Sequence, residues 1–305
     1  NEVIMPKGII PQLDELLSLR YLAKSIHLFD NQQRVSTLQS GTRLSRHKGR
    51  GIDFDEVRPY QAGDDTRMIH WSITARLGKP FTKVYKEERE RSVYLLIDQS
   101  SSMSFGTRVC FKNVLAANIA SAIAWSALEQ HEQVGGIIFD DNSAQLFKPK
   151  RNKQSLLNML RVLADESFRT NHYNSFNDSL KQLSQKIAHG STIALISDFS
   201  NFNDESAIYL NLINQRATII NILVYDQLEE QLPANGSYSF TQTGSEILKI
   251  NANTANRNKY HANFKQRMDK IAEYSRKNHM QFIKIATNDN ILDKISYGAT
   301  SYERK

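Results

Sequence analysis

The segment Asp98-Gln99-Ser100-Ser101-Ser102 sets one carboxylate and two hydroxyls at alternating positions. Side chains spaced in this way can converge on one point if the loop that carries them is tight. A donor set of oxygens with a single carboxylate suits a hard divalent cation. Mg2+ fits best, because it keeps several waters and takes only one or two carboxylates from a protein; Mn2+ and Ca2+ are the alternatives. A second carboxylate is available at Asp198, which closes the run Ile193-Ala194-Leu195-Ile196-Ser197-Asp198. Two carboxylates facing one crevice repel each other, and a cation between them relieves that cost. The plainer reading of Asp98 is a cap for the helix that follows.

A second charged constellation lies earlier. Asp53, Glu56, Arg58, Asp64, Asp65, Arg67 and His70 precede Trp71. Carboxylates beside a histidine can exchange protons with a substrate. Interleaving with arginine instead favours Arg–carboxylate bonds that pin one subdomain to the next, with Trp71 as buried core. No catalytic residue is assigned. The histidines form no H-E-x-x-H pair, and the chain carries no G-x-x-x-x-G-K-[ST] or G-x-S-x-G motif. A metal-dependent phosphoester hydrolase is the second reading. It requires a positioned nucleophile or a metal-bound water of low pKa, and no base is committed to that task. The expectation is a binding protein, not an enzyme.

The elements that must position these residues follow from periodicity. Val93-Tyr94-Leu95-Leu96-Ile97 is a continuous apolar run, as expected of a strand buried on both faces, and Asp98 stands at its carboxyl end. Ligands of open α/β sheets bind beyond that end. Strands are expected at 134–139, 144–147, 192–197, 218–225 and 281–286. Helices are expected at 110–130 (amphipathic), 153–165, from near 175, 204–214, 256–278 and 291–297, with a hairpin at 238–250. The alternation predicts an α/β fold with a mainly parallel, doubly wound sheet. Before residue 91 the pattern differs. Leucines at helical spacing fill 13–29, extended structure is expected from Ile52 to Tyr60, and two strands at 68–75 and 81–85 flank Leu77-Gly78-Lys79-Pro80. The expected division is an N-terminal helix plus β-rich subdomain over 1–91 and an α/β domain over 92–305.

Composition narrows the partners. The chain has 305 residues, 40% hydrophobic and 23% charged, which is globular rather than disordered. A lone cysteine, Cys110, excludes an internal disulfide and a Cys-based zinc site. No apolar run approaches the ~20 residues of a membrane span. The first ten residues lack the layout of a signal peptide, so a cytoplasmic location is expected. The net charge of +7 suits an acidic partner. Arg34, Arg43, Arg46, Lys48 and Arg50 form a basic stretch without the aromatics that would stack bases, so a solvated loop is expected ahead of a nucleic-acid patch, and nucleic-acid binding is a weak third reading.

Two resemblances sharpen this reading. Asp98-x-Ser100-x-Ser102 after an apolar strand, with a later strand ending in Asp198, resembles the metal-ion-dependent adhesion site of von Willebrand factor A domains. The resemblance implies a threonine-like ligand ahead of an intervening helix. Ser175, in Tyr173-Asn174-Ser175-Phe176, takes that place, and Thr170 competes for it. It further implies an open metal position filled by a carboxylate from a protein partner. The stretch from Gly49 to Arg67, through Asp53-Phe54-Asp55-Glu56-Val57-Arg58-Pro59-Tyr60-Gln61-Ala62-Gly63-Asp64, continues to His70-Trp71 and Ala75-Arg76. It resembles the bacterial family known as domain of unknown function 58, in which such a segment precedes a von Willebrand factor A-like domain. That resemblance implies an adaptor or chaperone-like role beside a MoxR-type AAA+ ATPase.

Overall fold

A computed structural model describes residues 6–26, 52–61, 63–87, 91–165, 176–232, 237–241, 247–251 and 254–300. The chain forms two compact units, one of residues 1–35 with 91–305 and one of residues 36–90. The sequence places the change at residue 91 but groups the first helix with the small subdomain; α1 (Leu13–Ser18) and the 3-10 helix that follows it, Leu19–Ser25, instead fold with the large unit. The small unit holds β1 (Ile52–Pro59), α2 (Trp71–Leu77) and β2 (Phe81–Glu87). β1 and β2 pair antiparallel with a register shift between Phe54 and Glu56.

α2 corrects an expectation, because 71–75 reads as strand. Ile69, Trp71 and Ile73 alternate with polar residues, which is the period of a half-buried strand. The helix wins locally through its ends. His70 Nδ1 accepts from the Ile73 N–H at 3.4 Å, and Gly78 takes the left-handed conformation (φ 70°) and donates to Thr74 O. Glycine meets this C-terminal requirement without steric cost.

The large unit is built on β3 (Ser92–Asp98), α3 (Lys112–Glu129), β4 (Gln133–Phe139), β5 (Ala144–Lys150), α4 (Lys153–Ala164), α5 (Phe176–Lys186), β6 (Ser191–Ser197), α6 (Asp204–Asn214), β7 (Ala217–Tyr225), α7 (Gln227–Glu230), β8 (Ser237–Thr241), β9 (Ile247–Asn251), α8 (Thr254–Lys277), β10 (Gln281–Ala286) and α9 (Ile291–Thr300). The sheet order is β10-β7-β6-β3-β4-β5, and only β5 runs antiparallel to its neighbour. β8 and β9 form a separate hairpin. β3 and β6 are central and buried along their whole length, as their unbroken apolar runs require.

Alternate β3 residues feed two cores. Val93, Leu95 and Ile97 pack with α1, α3, α4 and α9; Tyr94 and Leu96 pack with α5, α6 and Ile271 of α8. The sheet is therefore covered on both faces, the doubly wound, mainly parallel α/β arrangement expected. α3 differs from expectation in its environment. It is not amphipathic: every residue from Lys112 to Ala127 is buried. Its second face is covered by residues 13–26. Ser121 Oγ and Trp125 Nε1 donate to Leu16 O at 2.7 and 3.1 Å, and Ser126 Oγ donates to Ile26 O at 2.9 Å. Among the described residues, no helix is long and apolar enough to cross a membrane.

Candidate functional site

The parallel pairing of β3 with β6 sets Ile97 opposite Ile196, so both strands end side by side. Asp98 is buried there, 2% exposed. Its Oδ1 accepts from the Ser100 N–H at 2.9 Å and from Ser100 Oγ at 2.6 Å, while Oδ2 accepts from Ser197 Oγ at 2.6 Å. Ser100 Oγ lies 3.2 Å from Ser102 Oγ, and Ser200 Oγ donates to Ser102 Oγ at 3.2 Å. A single turn of 3-10 helix, Ser101–Met103, tightens the loop, and the Ser101 N–H is held by Asp141 Oδ2 at 2.6 Å. Asp98, Ser100, Ser102 and Ser200 thus form one continuous run of oxygens. Asp98 does not cap α3, which begins only at Lys112 with Phe111 at its N-cap.

Asp198 lies just beyond β6 and is equally buried. Its Oδ1 accepts from the Ser200 N–H at 2.9 Å, and its Oδ2 accepts from Lys112 Nζ at 2.8 Å. Phe199 between them adopts the left-handed region (φ 54°), uncommon for a bulky residue. Its buried ring, edge-on to Phe176 at 6.3 Å, holds it there. Lys112 Nζ also donates to Glu229 Oε1 at 2.8 Å, and Arg267 lies 3.7 Å from the same oxygen.

The two carboxylates are treated unequally. Burial pushes the Asp98 carboxyl up, the charge of Asp198 adds to this, and together they carry it to about 6 against three neutral hydrogen bonds. Burial also pushes Asp198 up, but the Lys112 ammonium outweighs it and holds this carboxyl below the usual range. For Lys112, burial opposes the charged form, and Asp198 and Glu229 more than compensate, so its value is raised. Asp98 is the group left short of positive charge.

The donor chemistry fits a hard cation. Among the described residues, no three His, Cys, Asp or Glu side chains gather closely enough to hold a metal. A cation beside Asp98 would therefore rest on one or two carboxylates, serine hydroxyls and water, the set that suits Mg2+. Ser175 and Thr170 lie outside the described residues.

The earlier constellation is organised differently from expectation. Arg58 Nη2 meets Asp64 Oδ1 at 2.7 Å, Asp64 Oδ2 accepts from the Gln61 N–H at 2.9 Å, and Arg67 pairs with Asp65 at 3.6 Å. The Arg58 guanidinium holds the Asp64 carboxyl below its ordinary value. Both pairs are local to the small unit. Asp53 and Glu56 lie on β1, their side chains outside the described set, as does the basic stretch from Arg34 to Arg50. Trp71 is 68% exposed, not core. It opens a helix of only two turns, too short to shield it. Burial pushes the Cys110 thiol up to about 12, which suits an inert side chain.

Reading the sequence missed Lys112, Glu229, Ser197, Ser200 and Asp141. Two signals were available. Asp198-x-Ser200 repeats the Asp98-x-Ser100 spacing. A lysine in the first turn of a helix opposes the macrodipole and calls for carboxylates nearby.

Residues 56–270 match the family model described as protein of unknown function DUF58. Uncharacterized proteins of Mycobacterium bovis and Mycobacterium tuberculosis are each 31% identical over 133 residues, 44% of this chain and 42% of theirs. The chain thus spans less than half the length of these relatives. Among solved structures, the conserved hypothetical protein BatB from Bacteroides thetaiotaomicron is similar at 12% identity and TM-score 0.43, covering 69% of this chain and 98% of its own. A von Willebrand factor type A structure from Catenulispora acidiphila is similar at 12% identity and TM-score 0.38, covering 74% of this chain and 45% of its own.

Proposed function

This chain belongs to the family of proteins of unknown function DUF58, and from that premise we propose a metal-dependent protein-binding adaptor that works with a MoxR-type AAA+ ATPase. The observation that carries this reading is the run of oxygens from Asp98 through Ser100 and Ser102 at the shared ends of β3 and β6, with Asp98 short of positive charge. Mg2+ held there would offer the charge and the vacant coordination that a carboxylate from the partner could fill. Asp98, Ser100 and Ser102 form the first side of the holder. Asp198 and Ser200 form the second, and Ser175 or Thr170 completes the set. Binding rather than catalysis is supported by the state of Asp198: a carboxyl held ionised by a buried ammonium is a poor proton acceptor at neutral pH. The ATPase is proposed from the family resemblance, and a net charge of +7 suits an acidic surface on it.

The test is an equilibrium binding measurement between the purified chain and the MoxR-type ATPase of the same organism, in Mg2+ and in chelator. Binding in Mg2+, lost in chelator and lost in Asp98→Ala, is the expected outcome. Binding that ignores both the metal and the substitution refutes the proposal.

A further inference from the structure

Lys112 stands where an ammonium is least welcome. It is 1% exposed and occupies the first position of α3, against the positive end of the helix. An unpaired buried ammonium is strongly unfavourable, and this one persists because two carboxylates flank it. Asp198 and Glu229 each accept from Nζ at 2.8 Å. The clasp joins three elements: the end of β6, the start of α3, and α7. Glu229 is fixed in turn, since its Oε2 accepts from the Asp226 N–H at 3.0 Å. Asp198 therefore has both oxygens engaged by its own chain, while Asp98 is met only by the neutral donors Ser100 and Ser197.

Resting on the metal reading above, we propose that Lys112 is a resident cation of the site, which holds the charge of Asp198 in the metal-free chain and competes with a divalent metal for it. The physical basis is that an ammonium bonded to one of the two carboxylates both repels an incoming dication and withholds the second anionic ligand. In a site shielded from water, such charge–charge terms are large. The consequence for function is a site that binds metal weakly by itself and binds it well once a partner's carboxylate adds negative charge. Metal loading and partner binding are thereby made to depend on each other.

The experiment is calorimetric titration of Mg2+ into the chelator-stripped full chain, wild type and Lys112→Met, with a thermal melt of each in chelator. Methionine keeps the volume and removes the charge. Lys112→Met is expected to melt lower in chelator, because Asp198 loses its counter-ion, and to bind Mg2+ more tightly by a factor on the order of ten or more. Mg2+ binding by Lys112→Met where wild type binds none supports the proposal equally. Wild-type binding that is unchanged or weakened in Lys112→Met overturns it and leaves the metal reading standing. Absence of binding in both proteins overturns the metal reading and this inference together. If Lys112→Met does not fold, Glu229→Gln carries the test. With Glu229 neutral the ammonium is left to Asp198 alone, and Mg2+ binding is expected to weaken several-fold; unchanged or tighter binding overturns the proposal.

Discussion

Asp98 is held between opposing demands. Its environment favours the neutral acid, with burial first and the charge of Asp198 second, whereas a metal ligand must be ionised. A folded-state value of about 6, above the unfolded one, stabilises the fold below the unfolded pKa, and that stabilisation is lost as pH rises through about 6. In chelator, Asp98→Asn is therefore expected to be more stable than wild type by roughly 1–3 kcal/mol near pH 7.5 and by about half of that near pH 5, because the loss sets in above the unfolded pKa. Thermal melts at the two pH values check this, and an Asn variant no more stable near pH 7.5 contradicts it. The spacing Asp98-x-Ser100-x-Ser102 was legible because a loop after a buried strand brings alternate residues together. Lys112 was not: a lysine two residues after a cysteine reads as solvated, and only the fold, which brings the start of α3 to the end of β6 and to α7, reveals its two carboxylates.

α3 owes its burial to the segment that covers it. It is buried from Lys112 to Ala127, and its hydroxyls satisfy backbone carbonyls of residues 16 and 26. Ser126→Ala leaves Ile26 O without this donor and is expected to cost about 1–2 kcal/mol. Trp125→Phe is expected to cost less from hydrogen bonding, because Leu16 O keeps its bond from Ser121. Urea denaturation of the two variants measures the difference, and an undiminished stability of Ser126→Ala contradicts it. The extents of the strands and helices around the sheet were legible, because each buried strand is a short apolar run. The sidedness of α3 was not, since alanine and serine suit a covered face as well as an exposed one. α2 was misread because its apolar residues alternate, while the decisive groups, His70 and Gly78, lie at its ends.

At the scale of the molecule, the buried clusters among the described residues draw on residues 16–26 and 93–295. Replacing residues 36–90 with a flexible Gly/Ser linker is expected to leave a cooperatively melting α/β unit, followed by circular dichroism; loss of cooperative unfolding contradicts this expectation. The alternation of strands and helices made the doubly wound sheet legible. The allegiance of residues 13–26 was not, because helical spacing announces a buried face without naming what buries it. The central proposal concerns the end of that sheet, where a cation would complete what Asp98 lacks. Calorimetric titration of Mg2+ into chelator-stripped wild type and Asp98→Ala tests it most directly. The account predicts saturable binding at a single site in wild type and none in Asp98→Ala. Undiminished binding in Asp98→Ala contradicts it, as does an absence of binding in both wild type and Lys112→Met.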